Sequence, residues 1–349
     1  MRSLAIFGLT VALALPAAGQ QSPPFGERVD VNVVLIDTVI TDDHGNQILG
    51  LSKDDFVVKE NGVRQTIDSV DYFTSRRLLT NPEEQLPFKI EQIKEERFLV
   101  FFFDKPEGGQ LFDQIARARR SVENFINTDM GGNDQVAIVG HDVRLKIYSD
   151  FTSNKQQLKK ALNEAATFSN GTTKSPANGG PSILRNIGTR QLINRTGTVY
   201  EALELLGDSV RPIRGRKNLV LFSPGVREPS EEVRDGMLLS ESRYYRPMVE
   251  SLNTANVTVY ATNLVPNQRA PAFHQTLERL TDATNGEYFR NSVSFEPMIQ
   301  HVEKASGGYY LITYRTQKPR GARGFQKVDV SIKNPEFRVK ARAGYVYGQ

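Results

Sequence analysis

Phe98-Leu99-Val100-Phe101-Phe102-Phe103-Asp104-Lys105-Pro106-Glu107-Gly108-Gly109 is the stretch whose reading decides the fold. Six apolar residues run without alternation and end on a carboxylate. A strand with one wet face alternates, so the unbroken run predicts a central parallel strand covered on both faces. Asp104 then falls at the C-terminal end of that strand, where ligands bind in open α/β sheets. Lys105 to Gly109 reads as a loop. Leu111, Ile115, Ala118, Val122 and Phe125 follow at spacings of four, three, four and three, which is one face of a helix.

Outward from this unit the theme repeats. Gln135 to His141 reads as a second strand, and Leu145 to Phe151 as a third at the sheet edge. Leu158, Ala161, Leu162 and Ala165 mark a helix capped by Ser153 or Asn154. Residues 167–195 are rich in Ser, Thr, Asn and Gly and lack a period. They read as a long polar insert on the rim that adds little to the core. Val199, Ala202, Leu203 and Leu206 give another helix. Leu219 to Phe222 gives a buried strand that ends at Ser223-Pro224-Gly225. Three more helices and a strand at Val257 to Ala261 complete the region, one helix stopping at Asn285-Gly286. Residues 97–307 are therefore predicted to form a doubly wound, mostly parallel α/β sheet.

The two ends differ from this middle. Residues 27–73 alternate with a period of two and carry Asn61-Gly62, a hairpin signal. Residues 309–347 return to strand character, and residues 74–96 read as a linker. Neither end has strands enough for a stable sandwich alone. Residues 27–71 have a net charge of −6 and residues 315–342 of +7. The expectation is one small β-sandwich built from both ends, with the α/β domain inserted between them.

Composition narrows the function. The chain of 349 residues has no Cys and no Trp. Disulfides, thiol catalysis and thiolate metal sites are excluded. A net charge of +4, with no basic run interleaved with aromatics, does not suit nucleic acid. Residues 1–19 read as a signal peptide: Arg2, an apolar run from Leu4 to Leu15, and Ala17-Ala18-Gly19 as cleavage site. That predicts an exported protein, periplasmic or secreted, with no transmembrane segment.

Further motifs carry a resemblance. They are Leu49-Gly50-Leu51-Ser52-Lys53-Asp54-Asp55-Phe56 with Lys59-Glu60-Asn61-Gly62, then Phe98 to Asp104, Phe151-Thr152-Ser153, Thr198 to Leu203, Gly215 to Gly225, and Gly308 to Tyr314. In this order the chain resembles exported von Willebrand factor A-related proteins of the acidobacterial type. The resemblance implies a von Willebrand factor A fold and a protein-binding or adhesion role. It also implies the positions of a metal-ion-dependent adhesion site, in which hydroxyls and carboxylates hold Mg²⁺ and leave one position for a partner's acid. Asp104 holds the first position. Pro106 and Gly108 stand in the two Ser slots, Thr198 (or Thr196) in the Thr slot, and Pro224 in the Asp slot. Two hydroxyls and a carboxylate are missing, so the site reads as degenerate, with neither metal nor other cofactor; Asp104 and Thr198 are the pattern positions that could contribute to one, and Glu107 and Ser223 could each restore one oxygen, though nothing in the sequence requires it. Asp104 is then expected to accept hydrogen bonds from the helix that follows it.

No catalytic constellation is visible. His44, His141, His274 and His301 fall at no metal-ligand spacing, and there is no Gly-x-Ser-x-Gly elbow. The sequence favours a non-enzymatic binding or scaffolding module with a protein partner. The alternative is an exported hydrolase with a site near Asp104, Glu107 and His141.

Overall fold

The computed structural model of the chain describes residues 29–43, 45–74, 96–105, 112–170, 179–226, 233–234, 237–238, 241–264, 271–290, 294–319 and 324–347. The segment 1–19, most of the linker, His44, and Pro106, Glu107 and Gly108 lie outside the described residues, as does the side chain of His274.

In chain order, four strands come first: β1 (Val29–Thr41), β2 (Phe56–Glu60), β3 (Val63–Gln65) and β4 (Ile67–Thr74). The central region runs β5 (Arg97–Asp104), α1 (Phe112–Thr128), β6 (Asp134–His141), β7 (Leu145–Thr152), α2 (Lys155–Ala166), α3 (Thr189–Asn194), α4 (Val199–Val210) and β8 (Lys217–Ser223). A two-residue ladder, β9 (Val233–Arg234) with β10 (Met237–Leu238), precedes α5 (Arg246–Thr254) and β11 (Val257–Asn263). Then come α6 (Pro271–Ala283), β12 (Glu287–Phe289) and α7 (Glu296–Ala305). Four strands close the chain: β13 (Gly308–Pro319), β14 (Gly324–Ile332), β15 (Arg338–Ala341) and β16 (Gly344–Tyr347).

The six central strands form one sheet in the order β12-β11-β8-β5-β6-β7. All neighbours are parallel except β6 and the edge strand β7. Strand β5 is buried along its whole length, as its unbroken apolar run requires. Its side chains alternate between two cores. Phe98, Val100 and Phe102 pack with Leu203 and Leu206 of α4 and Leu252 of α5. Leu99, Phe101 and Phe103 pack with Ile115 and Val122 of α1, Leu162 of α2 and Val302 of α7. This is the doubly wound, von Willebrand factor A-like sheet predicted for the central region. Asn154 caps α2, accepting from the N–H groups of Gln156 and Gln157. After α6, Asn285 takes φ +59°, and Gly286 lies so close to the Val259 carbonyl that a Cβ would stand 1.6 Å from it. Among the described residues no helix is long and apolar enough to cross a membrane.

The two chain ends interleave in two antiparallel sheets, β15-β1-β13-β4 and β16-β14-β2-β3. Each sheet takes strands from both ends, and Val34, Ile36, Phe56, Tyr310, Ile312 and Val328 share one core. The α/β region is thus inserted in a small β-sandwich. Asn61 and Gly62 take φ +47° and +84°, the positive values that a tight hairpin needs. The opposite charges of the ends meet in exposed pairs such as Arg315–Asp68 (3.1 Å) and Arg338–Asp43 (2.9 Å), which add little stability. Inside the sandwich, buried Glu60 accepts from the Tyr314 and Tyr345 hydroxyls at 2.9 Å each and from Thr316 at 3.2 Å.

Residues 179–195 correct the sequence reading. They are not a core-free insert, because Ile183 and Ile187 belong to the core against α4. The segment is pinned by Asp150 of β7. That buried carboxylate accepts from Ser182 Oγ at 2.6 Å and from the N–H groups of Ile183 (2.8 Å) and Leu184 (3.2 Å). The few aliphatic residues of this polar run, Ile183, Leu184, Ile187, Leu192 and Ile193, are too sparse for composition alone to mark core positions. Ile183→Ala is expected to lower unfolding stability by about 2–4 kcal/mol in a denaturant titration.

An ion cluster joins the two parts of the molecule. Glu287 of β12 lies 3.1 Å from His301 Nε2 of α7 and 2.7 Å from Lys340 Nζ of β15. The His301 ring and the Lys340 ammonium, acting against partial burial, push the Glu287 carboxyl down to about 2 from its ordinary 4.5. A depressed folded-state value gives stability that is complete above pH 4.5 and is lost as the pH falls towards 2. Denaturant midpoints measured between about pH 5 and pH 3 are expected to fall more steeply for the natural chain than for Glu287→Gln.

Candidate functional site

Strands β6, β5 and β8 lie side by side at the point where the sheet order reverses, and their C-terminal ends form the crevice where such sheets bind ligands. The register places Asp104 opposite His141 and Phe103 opposite Phe222, so Ser223 comes level with Asp104. Residues paired laterally across a pleated sheet share a face. Asp104, His141 and Ser223 therefore converge, and all three are buried.

Their hydrogen bonds set what the cluster can do. Ser223 Oγ donates to Asp104 Oδ2 at 2.7 Å and accepts the Gly225 N–H at 3.1 Å. His141 Nδ1 lies 3.5 Å from Asp104 Oδ1. His141 Nε2 is 3.1 Å from the Thr196 carbonyl, which can only accept, so that nitrogen carries a proton. The Thr196 hydroxyl donates to the Leu192 carbonyl at 2.6 Å and accepts the Leu145 N–H at 3.1 Å. The Lys105 N–H donates to the His141 carbonyl at 2.8 Å. The Asp104 carboxylate thus meets groups from the ends of β6 and β8, and His141 carries the link on to Thr196.

The order of the bonds matters for chemistry. A serine nucleophile needs an imidazole to take its proton, with the carboxylate behind the imidazole. Here the carboxylate stands between hydroxyl and ring. Ser223 donates to Asp104, and His141 Nε2 faces the backbone, so the cluster does not have the order of a Ser-His-Asp triad.

Of the adhesion-site positions, Asp104, Thr198 and Pro224 lie among the described residues. Thr198 is the N-cap of α4: its Oγ1 accepts the Glu201 N–H at 3.2 Å and donates to Glu201 Oε2 at 3.0 Å. That hydroxyl is committed to a capping box. Thr196 is the threonine that reaches the cluster, through its carbonyl. Asp104, expected to serve the following helix, has Ser223 and His141 as its side-chain partners among the described residues. Pro224 follows Ser223 and brings no oxygen from its side chain. A divalent ion needs several free oxygens, and this donor set does not fit one. Among the described residues no group of three or more His, Asp or Glu could hold a metal ion. Ser223 and Thr196 as partners of Asp104 and His141 were not legible from spacing, since they lie far apart in the chain.

Beside the cluster, Phe168 takes φ +50°, rare for a bulky residue, with its ring buried. Lys146 Nζ holds the turn by donating to the carbonyls of Phe168 (3.0 Å) and Ser169 (3.3 Å) and to Asp142 Oδ2 (2.7 Å). Burial opposes the charge of Asp142, but the Lys146 ammonium and the Val143 N–H prevail and hold its carboxyl below the ordinary range. The Lys105 ammonium stands 5.8 Å from the centre of the Phe168 ring.

No protein-family model and no curated protein matches the chain. Among solved structures it is similar to an aerotolerance-related membrane protein of Bacteroides fragilis, at 13% identity over 60% of this chain and 98% of that one, with a TM-score of 0.38. It is similar to proximal thread matrix protein 1 of the mussel byssus, at 16% identity over 60% of this chain and 47% of that one, less than half its length, with a TM-score of 0.38. It is also similar to the manganese-loaded TRAP protein of Plasmodium vivax, at 11% identity over 72% and 95%, with a TM-score of 0.37. The strand order carries the fold assignment independently of these likenesses.

Thr198→Ala is expected to cost about 1 kcal/mol of unfolding stability, the worth of a helix cap. The imidazole resonances of His141 should stay in place in the same variant, because Thr198 serves the helix and not the cluster.

Proposed function

We propose that the chain is an exported, non-enzymatic protein-binding module that works from the rim of its α/β sheet without a metal ion. One observation carries this reading: Asp104, the residue at the metal-binding position of the pattern, is already engaged inside the protein by Ser223 and His141. Export is supported by the composition of residues 1–19. A hydrolytic role finds no support in the cluster, where the serine proton is directed away from the imidazole.

Calorimetric titration of the chain with Mg²⁺ or Mn²⁺ is expected to show no micromolar binding. Retention of cell-envelope proteins by the immobilised chain is expected to be the same in EDTA as in Mg²⁺. Tight stoichiometric metal uptake that Asp104→Ala abolishes would contradict the proposal.

A further inference from the structure

The rim carries a cleft that the Asp104 cluster does not fill. It has a volume of about 630 Å³ and lies between the turn joining β6 to β7 and helix α3. Val143, Leu145 and Ile147 line one side, and Leu184, Leu192 and Ile193 line the other. Val143 is 71% exposed and Ile193 54% exposed. A single exposed aliphatic residue is ordinary, but here two line one cleft whose walls are otherwise Leu145, Ile147, Leu184 and Leu192.

The two sides are held in place before any ligand arrives. The Thr196 hydroxyl bridges them, accepting from Leu145 N–H on one and donating to the Leu192 carbonyl on the other. Lys146, which also lines the cleft, is fixed by three acceptors. A site ordered in advance loses less entropy on binding.

Among the described residues, the free charge around the cleft has one sign. Its acid, Asp142, is bound to Lys146 at 2.7 Å. Arg144 lines the cleft and Arg190 lies on α3; both are exposed, and neither has an ion-pair partner among the described residues. The exposed Lys105 ammonium rests on the Phe168 ring, whose carbonyl Lys146 holds. Complementarity asks for a carboxylate next to an apolar anchor.

We propose that this cleft binds an extended segment of a partner protein in which an aliphatic side chain neighbours an Asp or Glu. The aliphatic group seats against Val143 and Ile193, and the carboxylate meets Arg144. The inference rests on the protein-binding reading above and gives it a ligand class.

The test is selection of a displayed library of random dodecapeptides on the immobilised full chain in EDTA. Enriched peptides are expected to share an aliphatic residue beside an acid. They should bind the double variant Val143→Ser/Ile193→Ser at least about tenfold more weakly, a difference well resolved in Kd. Arg144→Gln should weaken binding less and flatten its dependence on salt, as removal of a rim charge does. All three positions are exposed, so thermal midpoints should match that of the natural chain. No enrichment, peptides lacking the pair, or unchanged binding by the variants would overturn the assignment. So would a dimer in sedimentation that the double variant dissolves, which would put a second copy in the cleft. Binding in EDTA that ignores Val143, Ile193 and Arg144 removes the cleft alone. Binding that requires Mg²⁺ and Asp104 removes the metal-free reading itself.

Discussion

A carboxylate at the end of a strand buried on both faces has to find its hydrogen-bond partners inside the protein. Water cannot reach Asp104 freely, and an unpaired charge there would cost several kcal/mol. The chain answers with Ser223 from β8 and the ring of His141 from β6. That pairing draws the ends of three central strands together. His141 then reaches the Thr196 carbonyl, and the Thr196 hydroxyl joins Leu145 to Leu192. The rim, and with it the cleft, follows from how one buried acid is satisfied.

The same constraint supports the metal-free reading of this site. An ion arriving at Asp104 would have to compete with partners already in place. Here one oxygen receives a hydroxyl proton at 2.7 Å and the other faces the imidazole. The threonine that the pattern assigns to the ion caps a helix instead. Cationic character at the rim comes from side chains: Lys105 on an aromatic ring, and Arg144 and Arg190 free in solvent among the described residues.

Much of the architecture was legible because it is written in local pattern. The run Phe98–Asp104 could only be a two-sided strand, and its alternation between two cores follows from the pleat. Asn61-Gly62 specified its own turn. The strand deficit at each end called for a shared sandwich. What stayed hidden are pairings between distant residues. Nothing near Asp150 announces that it will receive Ser182 and two backbone N–H groups. Thr198-Val199-Tyr200-Glu201 has the spacing of a capping box, so the cap on α4 is written locally, but nothing local says that Thr196 faces the site. Ile183, Leu184 and Ile187 make one short apolar group in a polar stretch, too brief to stand out as core. Of the candidate site, Asp104, the degeneracy of its pattern and the nearness of His141 were visible; the bond from Ser223 and the link on to Thr196 were not.

The most direct measurement is the unfolding free energy of Asp104→Ala against the natural chain, by denaturant titration in EDTA. If Asp104 is the internal tie described here, the variant leaves the buried Ser223 hydroxyl without its acceptor. Stability should then fall by about 2–4 kcal/mol with an unchanged denaturant slope. A carboxylate held open for a ligand behaves in the opposite way, since its removal relieves an unpaired charge. Unchanged or increased stability in Asp104→Ala would contradict the account.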